Sequence, residues 1–207
     1  MFSLYNILMG RAPQIDLGGY VYHVINRANG RVQIFNTNTD YQDFEYLLNE
    51  IRETYGMRIL GYVIMPNHWH LLLYPREDGD LSKSLQWLGT AHARRHHTRN
   101  ETIGNGHLYQ GRYKSFLVES DSHLLSVLKY IERNPVRAKL CKRAEDWQWG
   151  SARRRKQGGE FVRLLSELPT ELSGDYWRWI HTPDSITELE EIRNSVNRGV
   201  AYGEVLL

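Results

Sequence analysis

The sequence predicts an α+β fold: a ferredoxin-like (split βαβ) antiparallel sheet with helices on one face, plus a C-terminal helical appendage. Three observations lead there. Short β-rich segments recur at "YVYHVINRA", "MRILGYVIM", "HWHLLLYP" and "LYQGRYKSFLVE". Segments of helical period lie between the first and second of these and between the third and fourth. The resulting order, β-α-β-β-α-β and then a helix, is that of the split βαβ unit.

Each element has its own signal. Residues 20–28 alternate as a half-buried strand does. Asp40 reads as the N-cap of "YQDFEYLLNEIRETYG", in which Phe44, Leu47, Leu48, Ile51 and Tyr55 share one face and Gly56 ends the helix. Residues 57–65 form a second strand, and Pro66-Asn67 is a turn signal. Residues 68–75 form a third strand, antiparallel to the second through a tight connection. Asp80 or Ser82 caps "DLSKSLQWLGTAHARRHHTRN", a helix with a basic end. "ETIGNGH" is a loop. "LYQGRYKSFLVE" is one bent strand or a hairpin with Gly111 at the bend. Asp121 or Ser122 caps "SHLLSVLKYIERN", which Pro135 closes. The legible pattern stops near Lys156. The chain therefore divides into a main domain, 1–156, and an appendage, 157–207, with a helix starting near Pro183-Asp184.

Composition bounds the function. The chain has 207 residues, 41% hydrophobic and 24% charged, as expected of a globular protein with a real core. A net charge of +2 indicates no particular partner by itself. Its distribution says more: "ARRHHTRN", "GRYKS", "NPVRAKLCKR" and "ARRRK" are basic runs. Each alone reads as a solvated face; four together favour a polyanionic partner. The single cysteine, Cys141, excludes an internal disulfide, and the lack of a secretory signal fits a reducing cytoplasm. No segment reads as membrane-spanning. Met9 is a second candidate start.

The stretch "IMPNHWHLLLY" carries the first chemical signal. On a strand, His68 and His70 share one face, and Trp69, Leu71 and Leu73 share the other. The two imidazoles stand about 6–7 Å apart along the strand, a spacing at which both can close on one divalent metal. The plain alternative is two half-exposed histidines, one bonded to a backbone carbonyl. The other histidines, His23 among them, carry no pattern of their own.

A second signal is "SVLKYIERNPVRAKL". Tyr130 and Asn134 are one helical turn apart and meet on one face. The plain alternatives are a half-buried helix tyrosine and an N-cap asparagine before Pro135. The chemical reading joins the pairs. A tyrosine hydroxyl has a pKa near 10, so about 0.1% is ionised at pH 7, a deficit of ~4 kcal/mol. A metal held by His68, His70 and an amide oxygen of Asn134 can offset several kcal/mol by neutralising charge on a phosphate. Together they make a nuclease with a tyrosine nucleophile.

"MPNHWHLLL", "GHLYQGRYKS" and "YIERNPVRA", in this order, resemble the REP-associated tyrosine transposases, relatives of the HUH single-tyrosine transposases. The resemblance runs from "GGYVYHVINRANGRVQIF" to about Ser151, so that 1–156 would be the transposase-like domain. It implies a metal-dependent endonuclease and strand transferase acting on single-stranded DNA. Tyr130 would be the nucleophile, leaving a 5′-phosphotyrosine and a free 3′-OH. His68, His70 and Asn134 would hold Mg²⁺ or Mn²⁺; insertion-sequence relatives usually carry glutamine at the third position. The implied substrates are hairpins of repetitive extragenic palindromes, in a bacterial, nucleoid-associated setting. The implied state is a monomer with Tyr130 acting in cis, a dimer being the alternative.

Candidate phosphate contacts are then Arg94, Arg95, Arg112, Lys114, Arg137 and Lys139, with Arg27 and Arg31 beside the first strand. Tyr109, Tyr113 and Trp149 are candidates for stacking on unpaired bases. The tail "RNSVNRGVAYGE" resembles family tails and is expected to touch the site or the DNA. Two other readings stay open: a binding module that holds structured DNA or RNA without cutting it, and a zinc hydrolase with Glu119 as a third ligand.

Overall fold

A computed structural model describes residues 16–118, 121–172 and 174–198. Its centre is a four-stranded antiparallel sheet of β1 (Val21–Arg27), β2 (Arg58–Met65), β3 (His68–Tyr74) and β4 (Lys114–Val118), in the order β2-β3-β1-β4. The long helices α1 (Asn38–Tyr55) and α2 (Asp80–Arg99) connect β1 to β2 and β3 to β4. This is the expected split βαβ core. Then follow α3 (Asp121–Glu132), α4 (Asn134–Arg137), α5 (Ser151–Gln157), α6 (Tyr176–His181) and α7 (Ile186–Arg198). Among the described residues, no helix is long and apolar enough to cross a membrane.

Helices cover both faces of the sheet, not one. Trp69, Leu71 and Leu73 pack with Phe44, Leu47 and Leu48 of α1 and Leu81, Leu85 and Leu88 of α2. Leu60, Val63 and Leu72 turn to the opposite face and pack with Leu124, Val127, Leu128 and Ile131 of α3. The reason lies in β2 and β3, whose interiors are apolar on both faces, so each face has to be covered. At Gly61 an added Cβ would sit 2.5 Å from Leu128 Cδ1, so the glycine lets α3 approach β2 closely.

Helix starts differ from expectation by a turn or less. Thr37, not Asp40, is the N-cap of α1; Asp40 sits at the third helical position and completes a capping box. The start of α2 is capped from a distance by Asp16, whose carboxylate accepts from the Leu81 and Ser82 N–H groups at 3.2 and 2.9 Å. β4 is short, and Gly111 lies in a loop before it.

The C-terminal region is anchored to the core. Ser166 N–H donates to the Ile59 carbonyl, and Arg58 to the Glu167 carbonyl. Ile192 of α7 joins the α3 core. The basic run "ARRRK" is largely spent inside the fold. Arg154 pairs with Glu45 and Arg155 with Glu132, whose carboxylate also accepts from Ser151 and Tyr176. Met9 and the tail beyond Arg198 lie outside the described residues.

Candidate active site

The sheet face toward α3 gathers the chemistry. β1 and β3 pair with Ile25 opposite His70 and Arg27 opposite His68. Across β4, Ile25 also faces Lys114. His23, Arg27, His68, His70 and Lys114 are therefore on one face, as strand parity requires. His70 and His23 are each 2% exposed, while His68 and Arg27 are half-buried at the rim.

The polar atoms form a chain. Asn134 Nδ2 lies 3.0 Å from His70 Nε2. His70 Nδ1 lies 2.8 Å from His23 Nε2. His68 Nδ1 lies 2.6 Å from the Asn67 side-chain oxygen. Burial pushes His68 down to about 4, helped by the Arg27 charge, and His23 down to about 3. His70 is held well below its ordinary value, again chiefly by burial and then by the neighbouring His23, His68, Arg137 and Arg27. All three rings are neutral at pH 7. Neutral imidazoles and an amide that can turn its oxygen inward are a donor set that fits a divalent cation. Among the described residues, no group of three His, Cys, Asp or Glu side chains is arranged to hold a metal; Glu119, the proposed zinc ligand, lies outside them.

Tyr130 comes from the last turn of α3. Its ring sits edge-on to His70 at 5.8 Å and to His23 at 6.0 Å between centroids. α3 stops at Glu132 and the short α4 begins at Asn134, with Pro135 in its first turn. Asn134 is thus the first residue of α4 rather than its N-cap, and its side chain is free to face His70.

Arg137 lies over the Tyr130 ring, its guanidinium 4.2 Å from the centroid, and donates to the Tyr130 carbonyl. A buried carboxylate from the C-terminal region holds it there. Asp184 accepts from Arg137 at 3.2 Å and Arg133 at 3.3 Å. Arg137 is thus committed to the surroundings of Tyr130 rather than spread on the surface.

The other expected DNA contacts separate into groups. Arg27 and Lys114 belong to the site face. Arg31 and Lys139 are exposed on loops, each with a left-handed backbone (φ 58°). Arg112 is exposed on the loop before β4. Arg94 and Arg95 lie on α2, across the sheet from Tyr130, beside an open cleft of about 760 Å³ that Asp43, Trp87 and Arg99 also line. Tyr113 is half-buried, its hydroxyl pushed up to about 12 by burial. Tyr109 and Trp149 are corrections. Trp149 stacks on Tyr41 at 4.8 Å and is 6% exposed. Tyr109 is buried between Trp69 Nε1 at 2.9 Å and His92 Nδ1 at 2.6 Å. Neither ring has a face open to a base, because both are used to close the core against α1 and α2.

His23 is the residue that sequence reasoning missed. Parity would have assigned it to the histidine face, but only the β1–β3 register brings it to His70.

Residues 17–134 match the family model described as transposase IS200 like. The chain belongs to this family of IS200-like transposases. Members are DNA nucleases and strand transferases with a tyrosine nucleophile, and the matched segment includes the two-histidine strand, Tyr130 and Asn134. A Haemophilus influenzae protein, provisionally named a REP-associated tyrosine transposase, is 27% identical over 125 residues, covering 56% of this chain and 71% of that protein. The solved structure of a REP-associated tyrosine transposase bound to a REP hairpin shares the fold. It has a TM-score of 0.59 and 20% identity, over 80% of this chain and 96% of that one.

Proposed function

We propose that this transposase cuts and rejoins single-stranded DNA at hairpins of repetitive extragenic palindromes, through a 5′-phosphotyrosine at Tyr130. The observation that carries the reading is the meeting of Tyr130, His70 and Asn134 in one buried cluster, 5.8 Å between the rings and 3.0 Å from amide to imidazole. The hairpin substrate is the ligand of the structural neighbour, carried to this chain through its shared fold and family.

In the proposed step, Tyr130 Oη attacks phosphorus and loses its proton to solvent. The bond from phosphorus to the 3′-oxygen breaks, and that oxygen leaves as a protonated 3′-OH. Rejoining is the reverse displacement, so no nucleotide cofactor is consumed. His68, His70 and Asn134 would hold Mg²⁺ or Mn²⁺, which when bound neutralises charge on the phosphate. Arg137 fixes the Tyr130 ring from one side, and Arg27 and Lys114 supply positive charge at the rim. Tyr130 reaches His70 within its own fold, 5.8 Å between the rings, and this proximity is the ground for proposing a monomer acting in cis. The catalytic unit is taken as 1–156, with Asp184 and Ile192 of the appendage 157–207 bracing Arg137 and α3.

The test mixes the protein with single-stranded palindromic repeats, with Mn²⁺ or with chelator, beside Tyr130→Phe. A covalent protein–DNA adduct that requires both the metal and Tyr130 is expected. Tight hairpin binding with no adduct under any condition would instead support the non-catalytic binding module.

A further inference from the structure

The proposed chemistry makes no use of His23, yet His23 is among the least exposed polar residues of the site face. It stands diagonal to His70, because β1 pairs His23 with Leu72 and side chains of one diagonal share a face. Its ring lies nearly parallel to that of His70, with 23° between planes and 5.1 Å between centroids. Its Nε2 is 2.8 Å from His70 Nδ1.

Proton counting gives this contact a direction. An asparagine amide nitrogen only donates. With Asn134 Nδ2 3.0 Å from His70 Nε2, that nitrogen accepts. A neutral imidazole has one ring proton, so His70 carries it on Nδ1 and donates it to His23 Nε2. The reverse chain needs the Asn134 amide turned over. Without a cation that turn would place the proton on His70 Nε2; with one, Nε2 and the Asn134 oxygen would both face the metal, so the ring proton would again be on Nδ1.

We propose that His23 is a positioning residue: it accepts the Nδ1 proton of His70 and so holds His70 with its Nε2 lone pair facing the cation site. This rests on the reading that His68 and His70 hold a divalent cation. Ligating histidines are commonly oriented through their second nitrogen by a carboxylate, a carbonyl or water. His68 follows that pattern through the Asn67 side-chain oxygen. For His70 a second neutral imidazole does the same work. It orients the ligand without adding negative charge where a phosphodiester has to approach.

The test uses the full chain without DNA, labelled with ¹⁵N-histidine, and compares His23→Gln, which keeps an acceptor, with His23→Leu, which removes it. Two quantities are read: the protonated nitrogen of metal-free His70 by NMR, and Mn²⁺ affinity by EPR of the free ion. Thermal unfolding without metal checks folding. The parent and His23→Gln should show the proton on Nδ1. In His23→Leu it should move to Nε2, with Mn²⁺ binding weakened about 10- to 100-fold. A folded His23→Leu with the proton still on Nδ1 and unchanged Mn²⁺ affinity would overturn the assignment. If His23→Leu does not fold, a proton on Nε2 in the parent or in His23→Gln would overturn it. If the parent binds no Mn²⁺, the cation reading falls; the His70 tautomers then decide the role of His23 by themselves.

Discussion

The two faces of the sheet each bury histidine, and they use it differently. On the α1–α2 face, His92 is 3% exposed and bonds the Tyr109 hydroxyl, which also accepts from Trp69. That chain is enclosed by aromatic rings: His92 stacks on Phe35 at 5.0 Å and meets Phe44 edge-on at 4.9 Å. On the α3 face, the chain from His23 through His70 ends at the Asn134 amide, with the Tyr130 ring against both histidines and the half-buried His68 and Arg27 beside it. A buried imidazole is therefore no sign of function in itself. What separates the faces is where the hydrogen bonds end.

Replacing one histidine on each face gives the largest contrast. His70→Ala is expected to lower the cleavage rate by about 10³-fold or more, several kcal/mol of lost transition-state stabilisation. His92→Ala is expected to cost about 1–3 kcal/mol of stability through the unpaired Tyr109 hydroxyl, with Mn²⁺ affinity unchanged. Cleavage kinetics and urea unfolding of both variants check this. Equal losses of activity at equal stability would erase the distinction.

Asp184 tests whether the C-terminal region serves the reactive face. Its side chain is 7% exposed and pairs with two arginines. Asp184→Ala leaves two guanidinium groups short of a partner, a cost of about 3 kcal/mol. Cleavage should fall more than hairpin affinity, because Arg137 loses its hold over Tyr130. Truncation after Ser185 is a poorer test of the tail, since it also removes Ile192 from the core.

Acid should weaken the passive face in a way that His92 reports. Burial pushes His92 down to about 3. Between about pH 6.5 and that value the unfolded chain binds a proton there and the folded chain does not. Stability is then complete above pH ~6.5 and falls as the pH drops, by about 1.4 kcal/mol per unit for one such group. Urea unfolding from pH 7 to 4 should show a shallower slope in His92→Gln; an unchanged slope would mean that His92 is already protonated in the fold.

The smallest effects separate the arginines. Arg27→Ala should weaken hairpin binding and lower its salt slope by about one. Arg94→Ala, on the far face, should leave both unchanged and stability within about 0.5 kcal/mol. Fluorescence titrations at several salt concentrations decide it, and the reverse result would place the DNA against α2.

Much of this was legible in the sequence. Strand parity alone put His68 and His70 on one face and Trp69 on the other; Tyr130 and Asn134 both reach His70, though α3 ends between them instead of carrying both on one helical face. Local periodicity carries such facts. Three things were not local. The β1–β3 register that brings His23 to His70 is fixed by tertiary packing. The second helical layer followed from the apolar residues on both faces of β2 and β3, which a one-faced expectation overlooks. Charge runs do not tell whether arginines face solvent or buried carboxylates, so the run "ARRRK" counted toward a polyanionic partner though Arg154 and Arg155 pair internally. Tyr109 and Trp149 misled for a like reason: large amphipathic rings fill cores as readily as they stack on bases.

The most direct test of the reactive face is to trap the adduct on a palindromic hairpin with Mn²⁺, digest it with trypsin and find the modified peptide by mass spectrometry. The account predicts the DNA phosphate on the peptide Tyr130-Ile131-Glu132-Arg133. Attachment at another tyrosine, such as Tyr113, would contradict it and move the chemistry to a different part of the molecule.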